Sequence, residues 1–262
     1  MPLQFWKYQG LGNDFVVVDG PLMGVDRARR VCDRRRGIGA DGVLTVLPPR
    51  TDGAVAYMHI FNSDGSVAAM CGNGIRCVAR HLAEVHGASG DLVVDTDAGP
   101  KRCVVERDAA GSVVAVTVEM GPARVEGEQD FVAAEEHLHA IRVSMGNPHA
   151  VFFGPSSAER ARSIGPVIEA AVPGGVNVGF ASLRGAEIDL VVWERGAGLT
   201  EACGTGACAA VVAAVHTGQA RAGVPVEVRL PGGPLTITVD EGAARVSMRG
   251  PAERVFSGTA DL

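Results

Sequence analysis

One short motif occurs twice in this chain and limits what it can fold into. Met70-Cys71-Gly72-Asn73-Gly74 and Ala202-Cys203-Gly204-Thr205-Gly206 each place a cysteine directly before Gly-x-Gly. An apolar run follows each, with Ile75, Val78, Leu82 and Val85 in the first and Ala207, Val211, Val212 and Val215 in the second. That spacing predicts an amphipathic helix. Gly87 and Gly218 then stand where helices commonly end on a residue of positive φ. Each cysteine therefore falls at a helix N-terminus, where unpaired N–H groups and the positive end of the helix dipole favour a thiolate or a bound carboxylate.

The duplication extends well beyond these motifs. Shifting the sequence by 132 to 134 residues sets Gly12-Asn13-Asp14-Phe15-Val16 against Gly146-Asn147-Pro148-His149-Ala150, and Met58 to Asn62 against Leu190 to Glu194. In both copies the cysteine comes nine residues after the second of these segments. Ala98-Gly99-Pro100 and Gly232-Gly233-Pro234 each introduce a predicted hairpin, Arg102 to Glu106 with Val113 to Glu119 and Leu235 to Val239 with Ala244 to Met248. Each copy closes on Gly-Pro-Ala, at 121–123 and 250–252. The reading is an α/β fold of two pseudo-symmetric domains, residues 1–119 and 120–250, each a mixed, mostly antiparallel sheet around a central helix. The tail 251–262 is expected to add a last element to the first domain.

Composition excludes several function classes. With 262 residues, 47% hydrophobic and 21% charged, the chain can bury a sizeable core. A formal charge of −6 gives no reason to bind nucleic acid, and Arg34-Arg35-Arg36 reads as a solvated basic face. No basic segment leads into an apolar one at Met1-Pro2-Leu3-Gln4, and no apolar run is long enough for a bilayer, so no membrane partner and a cytoplasmic location are expected. The six cysteines, Cys32, Cys71, Cys77, Cys103, Cys203 and Cys208, are then expected as reduced thiols. Their Cys-x5-Cys and Cys-x4-Cys spacings do not match a metal knuckle, so no metal is expected. Cys32, Cys77, Cys103 and Cys208 read as packing residues.

Two helix-end thiols facing one molecule across a domain interface suit removal of a proton from one side of a carbon and its delivery to the other. No cofactor is required for this in principle. The acidity of a carbon beside an amine and a carboxylate is weak, so its developing charge must be stabilised where it forms. The backbone around Gly72-Asn73 and Gly204-Thr205 can hold that carboxylate. The repeat places Asn13, Asn62, Asn147, His149, Asn177, Glu194 and Arg195 beside the cysteines. Taken singly, the asparagines also fit turns, His149 fits packing, and Glu194-Arg195 fits a surface ion pair.

These residues resemble the diaminopimelate epimerases. The resemblance is carried by Gly10-Leu11-Gly12-Asn13-Asp14-Phe15, Gly37-Ile38-Gly39-Ala40-Asp41-Gly42, Phe61-Asn62-Ser63-Asp64-Gly65, Met70 to Arg76, Gly146-Asn147-Pro148-His149, Asn177-Val178-Gly179-Phe180 and Glu194 to Gly206. It implies interconversion of LL- and meso-diaminopimelate without pyridoxal phosphate, with Cys71 and Cys203 exchanging the roles of base and acid. It implies that Gly72, Asn73, Gly204 and Thr205 hold the reacting carboxylate, that Asn13, Asn62, Asn147, Asn177, Glu194 and Arg195 surround the rest of the substrate, and that His149 supports the cysteines. Domain closure, a homodimer and a place in lysine and peptidoglycan precursor synthesis are implied as well. Departures from the family pattern are Gly42 where many members carry Gln, Trp193 where Tyr is usual, and Leu199 where an acidic residue is common. The alternatives are a proline or hydroxyproline racemase, whose motifs typically carry His where Asn73 stands, and a thiol switch joining Cys71 and Cys203.

Overall fold

The computed structural model describes residues 2–262, which divide into two compact units, 2–118 with Gly250–Leu262, and Glu119–Arg249. Unit 1 runs β1 (Leu3–Gly10), β2 (Asn13–Asp19), α1 (Val25–Cys32), β3 (Gly42–Leu47), β4 (Ala56–Asn62), α2 (Gly72–Val85), β5 (Asp91–Asp95), β6 (Lys101–Arg107) and β7 (Val113–Gly121). Unit 2 runs β8 (Arg124–Ala133), β9 (Glu136–Ser144), β10 (Pro148–Phe153), α3 (Ala158–Ala171), β11 (Asn177–Arg184) and β12 (Glu187–Glu194). It continues with the short β13 (Gly198–Leu199), α4 (Gly204–His216), β14 (Val226–Leu230), β15 (Gly233–Val239) and β16 (Val246–Gly250). The last strand, β17 (Glu253–Ala260), pairs antiparallel with β1 and belongs to unit 1.

The strand order is the same in both units. In unit 1 it is β17-β1-β2-β3-β4-β5-β6-β7, antiparallel except for the parallel pairs β2–β3 and β4–β5. In unit 2 it is β8-β9-β10-β11-β12-β14-β15-β16, with β10–β11 and β12–β14 as the parallel pairs. Parallel neighbours need a crossover, and α1, α2, α3 and α4 supply them. The tail strand β17 thus holds in unit 1 the place that β8 holds in unit 2.

Each sheet wraps around one helix. α2 packs on β1, β2, β3, β5, β6 and β17, and α4 packs on β8, β9, β10, β11, β12, β14 and β15. This enclosure explains one departure from the sequence reading, which expects α4 to be amphipathic. Cys208 to Ala214 are all buried, so every face of α4 is covered and it has no polar side. Both helices end as expected, with Gly87 at φ +69° and Gly218 at φ +73°. At the end of α4 the Gln219 N–H closes on the Ala214 carbonyl at 2.8 Å.

Arg76, with no exposed surface, is a core residue of α2 that the sequence reading passes over. Its guanidinium donates to the carbonyls of Pro251 at 3.0 Å and Gly72 at 3.2 Å, and to Asn73 Oδ1 at 3.0 Å. One buried cation therefore joins the chain tail to the first turn of the central helix. A buried donor set removed without replacement leaves carbonyls unsatisfied. Arg76→Leu is expected to cost about 2–4 kcal/mol, read as a lowered urea midpoint. An unchanged midpoint would show that the tail is held by β1 pairing alone.

Candidate active site

Cys71 is the N-cap of α2, in extended conformation at φ −138°, and its Sγ accepts from the Gly74 N–H at 3.4 Å. Asn13, the first residue of β2, stands beside it. The Asn13 Nδ2 donates to Asp41 Oδ2 at 2.9 Å, which turns its Oδ1 towards α2, 3.9 Å from the Cys71 Sγ and 3.4 Å from Asn73 Nδ2. Asn73 is oriented from its other side by Arg76.

Asp41 is itself fixed by charge. It accepts from Arg34 at 2.8 Å and from the Asp14 backbone N–H at 3.1 Å, and Asp14 is gripped by Arg34 at 2.7 Å and by buried Lys7. Burial alone would raise the Asp14 carboxyl, but the Arg34 and Lys7 hydrogen bonds outweigh it and bring it to about 2. Arg34, Arg35 and Arg36 are all exposed, as the sequence reading expects, and Arg34 in addition ties Asp14 to Asp41. Arg34 belongs to the network behind Asn13, while Arg35 and Arg36 donate only backbone N–H groups, both to Asp33 Oδ1 at 2.8 Å.

Asn62 is the last residue of β4, exposed, and its amide donates to Ser66 Oγ at 2.9 Å. It pairs across the sheet with Gly42, which in turn pairs with Phe15. In unit 2, Asn177 pairs with His149, the residue that the repeat sets against Phe15. Gly42 and Asn177 therefore hold equivalent places. A Cβ on Gly42 would lie 2.7 Å from the Phe61 carbonyl oxygen, so the backbone here is set for glycine.

The second cluster is built on the same plan with different side chains. Cys203 is the N-cap of α4 at φ −119°, and its Sγ lies 3.6 Å from Thr205 Oγ1. Asn147, opposite Asn13 in the repeat, donates to Thr205 Oγ1 at 3.3 Å and has its oxygen 3.1 Å from His149 Nε2. Because an amide oxygen only accepts, Nε2 carries the proton. Burial, with Arg195 adding positive charge, brings His149 down to about 3, so the ring is neutral. Asn177 donates to the Pro148 carbonyl at 3.0 Å and accepts the Arg195 N–H at 3.0 Å.

Glu194 and Arg195 point to different partners. Glu194 accepts from Thr200 Oγ1 at 2.6 Å and from the Cys203 thiol, while the exposed Arg195 guanidinium donates to the Gly174 carbonyl at 3.1 Å. For Cys203 the expectation that a helix N-terminus favours thiolate gives way to burial. Burial pushes the thiol well up and the Glu194 carboxylate adds to it, while Thr205 and the Gly206 N–H pull the other way without reversing the shift. Cys203 is held as a thiol.

Of the other departures, Trp193 donates to Glu169 Oε2 at 2.7 Å, and it and Leu199 pack against the unit 2 core. Both are packing differences. Cys32, Cys77, Cys103 and Cys208 are buried, and burial pushes Cys32 up to about 11 and Cys77 and Cys103 up to about 12, consistent with inert packing thiols. The sequence reading singles out Asn13 but misses Asp41 and Thr200, which orient the groups around each cysteine. Asp41 stands within the Gly37 to Gly42 motif directly before β3, and a lone carboxylate at that strand start is the available signal.

The two-unit fold is shared with a class of racemases and epimerases. A solved probable proline racemase from Agrobacterium radiobacter K84 superposes with a TM-score of 0.79 at 17% identity, covering 99% of this chain and 93% of that one. Sequence comparison is more specific. The diaminopimelate epimerase family model matches residues 5–126 and 141–255. The diaminopimelate epimerase of Synechococcus sp. (strain JA-3-3Ab) is 44% identical over 98% of both chains, and that of Synechococcus elongatus is 42% identical over 100% of this chain and 99% of its own. The chain belongs to the diaminopimelate epimerase family, and it is an isomerase.

Two outcomes follow from this geometry. Asp41→Asn frees the Asn13 amide to turn, and is expected to lower kcat about 10- to 100-fold while the urea midpoint moves little. Equal losses in kcat and stability would show a purely structural role. In the folded chain His149 stays neutral down to about pH 3, whereas unfolded it protonates near 6.5. Unfolded chains thus bind more protons in that window, and stability falls as pH drops below about 6.5, by up to about 1.4 kcal/mol per pH unit. His149→Gln should flatten that slope in urea melts between pH 6 and 4; an unchanged slope would contradict the assignment.

Proposed function

We propose that Cys71 and Cys203 act on opposite sides of one α-carbon of diaminopimelate, one removing the proton and the other supplying its replacement. The supporting observation is that each unit places a cysteine at the N-cap of its enclosed helix with a repeat-related asparagine at the same helix end, Asn13 against Cys71 and Asn147 against Thr205. Cys203, held as a thiol by burial and the Glu194 carboxylate, serves as acid. The Cys71 sulfur, which takes the Gly74 N–H, serves as base, a contact that strengthens as the sulfur gains charge. The proton leaves the α-carbon for Cys71 as the C–H electron pair spreads into the carboxylate, and the Cys203 S–H bond breaks to form the new C–H on the other face.

The reacting carboxylate would be held at Gly72, Asn73, Gly204 and Thr205, at the positive ends of α2 and α4, where developing enolate charge is stabilised. Asn13, Asn62, Asn147, Asn177, Glu194 and Arg195 would bind the remainder, Arg195 as the cation for a carboxylate. His149, neutral and bonded to Asn147, would hold the Thr205 contact in place. Charge separation in the reverse direction requires Cys203 to ionise, and the Thr205 hydroxyl and Gly206 N–H are placed to receive it. By family membership the enzyme is proposed to act as a cytoplasmic homodimer without pyridoxal phosphate, in lysine and peptidoglycan precursor synthesis.

Cys71→Ser and Cys203→Ser, each alone, are expected to lower kcat/KM for LL-diaminopimelate by more than about 100-fold, since each direction needs both an acid and a base. Near-normal turnover by either variant would rule out the two-thiol reading. Proline assayed in parallel with the unmodified chain should remain unchanged; its racemisation in preference would move the substrate assignment.

A further inference from the structure

Asp19, His81 and His86 form a second polar cluster in unit 1 that the proposed chemistry does not use. Their donor atoms lie within 4.8 Å of one another. His81 Nε2 is 3.0 Å from Asp19 Oδ1 and 3.2 Å from Oδ2, and His86 Nε2 is 3.1 Å from Asp19 Oδ2. The unfavourable cost of burying the Asp19 carboxyl is outweighed by hydrogen bonds from His81 and then His86, so it is held ionised.

Several observations favour a ligand set over a simple ion pair. A buried His81 needs one acceptor, and Asp19 supplies it; a second imidazole on the same carboxylate is not needed for packing. On a regular helix two residues five apart point about 140° away from each other, yet the His81 and His86 rings are 5.3 Å apart. His86 is the C-cap of α2, at φ −100° and ψ 0°, and its ring reaches Asp19 from there. The other His81 nitrogen, Nδ1, faces Tyr8 Oη at 3.4 Å, and Trp6 meets the ring edge-on at 4.7 Å, so its orientation is fixed from behind, as in many metal-binding histidines. The helix C-terminus favours a cation. A surface hollow of about 360 Å³ lined by Asp19, His86, Leu82 and Ala88 opens at the same corner. The cluster also falls outside the duplication, since Phe153, Ala213 and the α4 C-cap Thr217 stand at the corresponding places in unit 2. The fold therefore does not demand it.

We infer that Asp19, His81 and His86 bind a borderline divalent transition metal ion such as Zn2+, Co2+ or Ni2+, with the exposed side completed by water. Two neutral imidazoles and one carboxylate suit these ions and leave open positions. Tetrahedral ligation at about 2.0–2.1 Å sets donor atoms about 3.3 Å apart, close to the Asp19 separations, and exposed His86 closes the remaining gap. Each imidazole binds through its Nε2 lone pair as the neutral tautomer with its one proton at Nδ1, which on His81 faces Tyr8 Oη. The site is structural, with His86 capping the end of α2 opposite Cys71, and no reaction step passes through it.

The test uses metal-stripped full-length chain titrated with CoCl2 alone. One Co2+ per chain is expected, with the visible bands of nitrogen and oxygen ligation and no thiolate charge-transfer band. At a hundredfold excess over Kd the Tm should rise by about 5 °C. His86→Ala should weaken binding at least tenfold while epimerisation and metal-free Tm stay unchanged, because His86 is exposed and touches neither thiol. Asp19→Asn should weaken it likewise. Wild-type affinity in His86→Ala, a thiolate band that disappears in Cys71→Ser or Cys203→Ser, or no binding at millimolar Co2+ would each overturn the proposal.

Discussion

Everything in each unit depends on an enclosed helix whose first turn must satisfy its backbone N–H groups without a preceding turn. A sheet wrapped around α4 leaves that helix no polar face, so its polar chemistry gathers at its ends. An N-cap residue of β conformation is required there, and Ser, Thr, Asp or Asn is the usual choice. The chain uses Cys71 and Cys203 instead. A sulfur accepts more weakly from the N3 N–H, so the cap gives up stability and gains a group that can carry a proton. The glycine at N3, Gly74 or Gly206, keeps that approach open: a Cβ at Gly206 would lie 3.2 Å from the Cys203 Sγ and 3.1 Å from Val192.

The duplication supplies two equal frames, and the side chains hung on them make the two clusters unequal. In the repeat Asn73 corresponds to Thr205, Asn62 to Glu194 and Gly42 to Asn177. The last two of these differences put a negative charge or more hydrogen-bonding capacity in unit 2. Glu194 is the strongest of them, because a carboxylate beside a buried thiol favours the protonated form. Unit 1 invests its charge further back, in the Lys7–Asp14–Arg34–Asp41 network that fixes the sense of the Asn13 amide. An amide that could turn would present either an oxygen or an N–H to Cys71, and only the fixed one gives a defined partner.

Much of this was legible in the residues. The Cys-Gly-x-Gly pair, the helical spacing after it and the closing glycines defined both central helices and both caps. Of the residues the repeat set beside the thiols, Asn13 and Glu194 contact them, whereas Asn147 bonds Thr205 and Asn62 bonds Ser66. Three matters were not legible, each for a physical reason. The burial of α4 on every face depends on how far the sheet curls, which periodicity does not report. The role of Arg34 and the isolation of Glu194 from Arg195 depend on partners far away in sequence, and adjacent opposite charges on a strand end point to opposite sides. The raised Cys203 thiol reflects desolvation, a property of the packed chain that outweighs the helix dipole at this site.

The central claim is that two thiols, one on each unit, invert one carbon. The most direct measurement is the early time course of LL-diaminopimelate in heavy water with the reduced chain, following deuterium at the α-carbon of substrate and product separately. The account predicts deuterium at the inverted centre of the meso product and none in the recovered LL substrate, because the incoming proton comes from a different group than the one that took the first. Equal early labelling of substrate and product would place both transfers on a single base and contradict it.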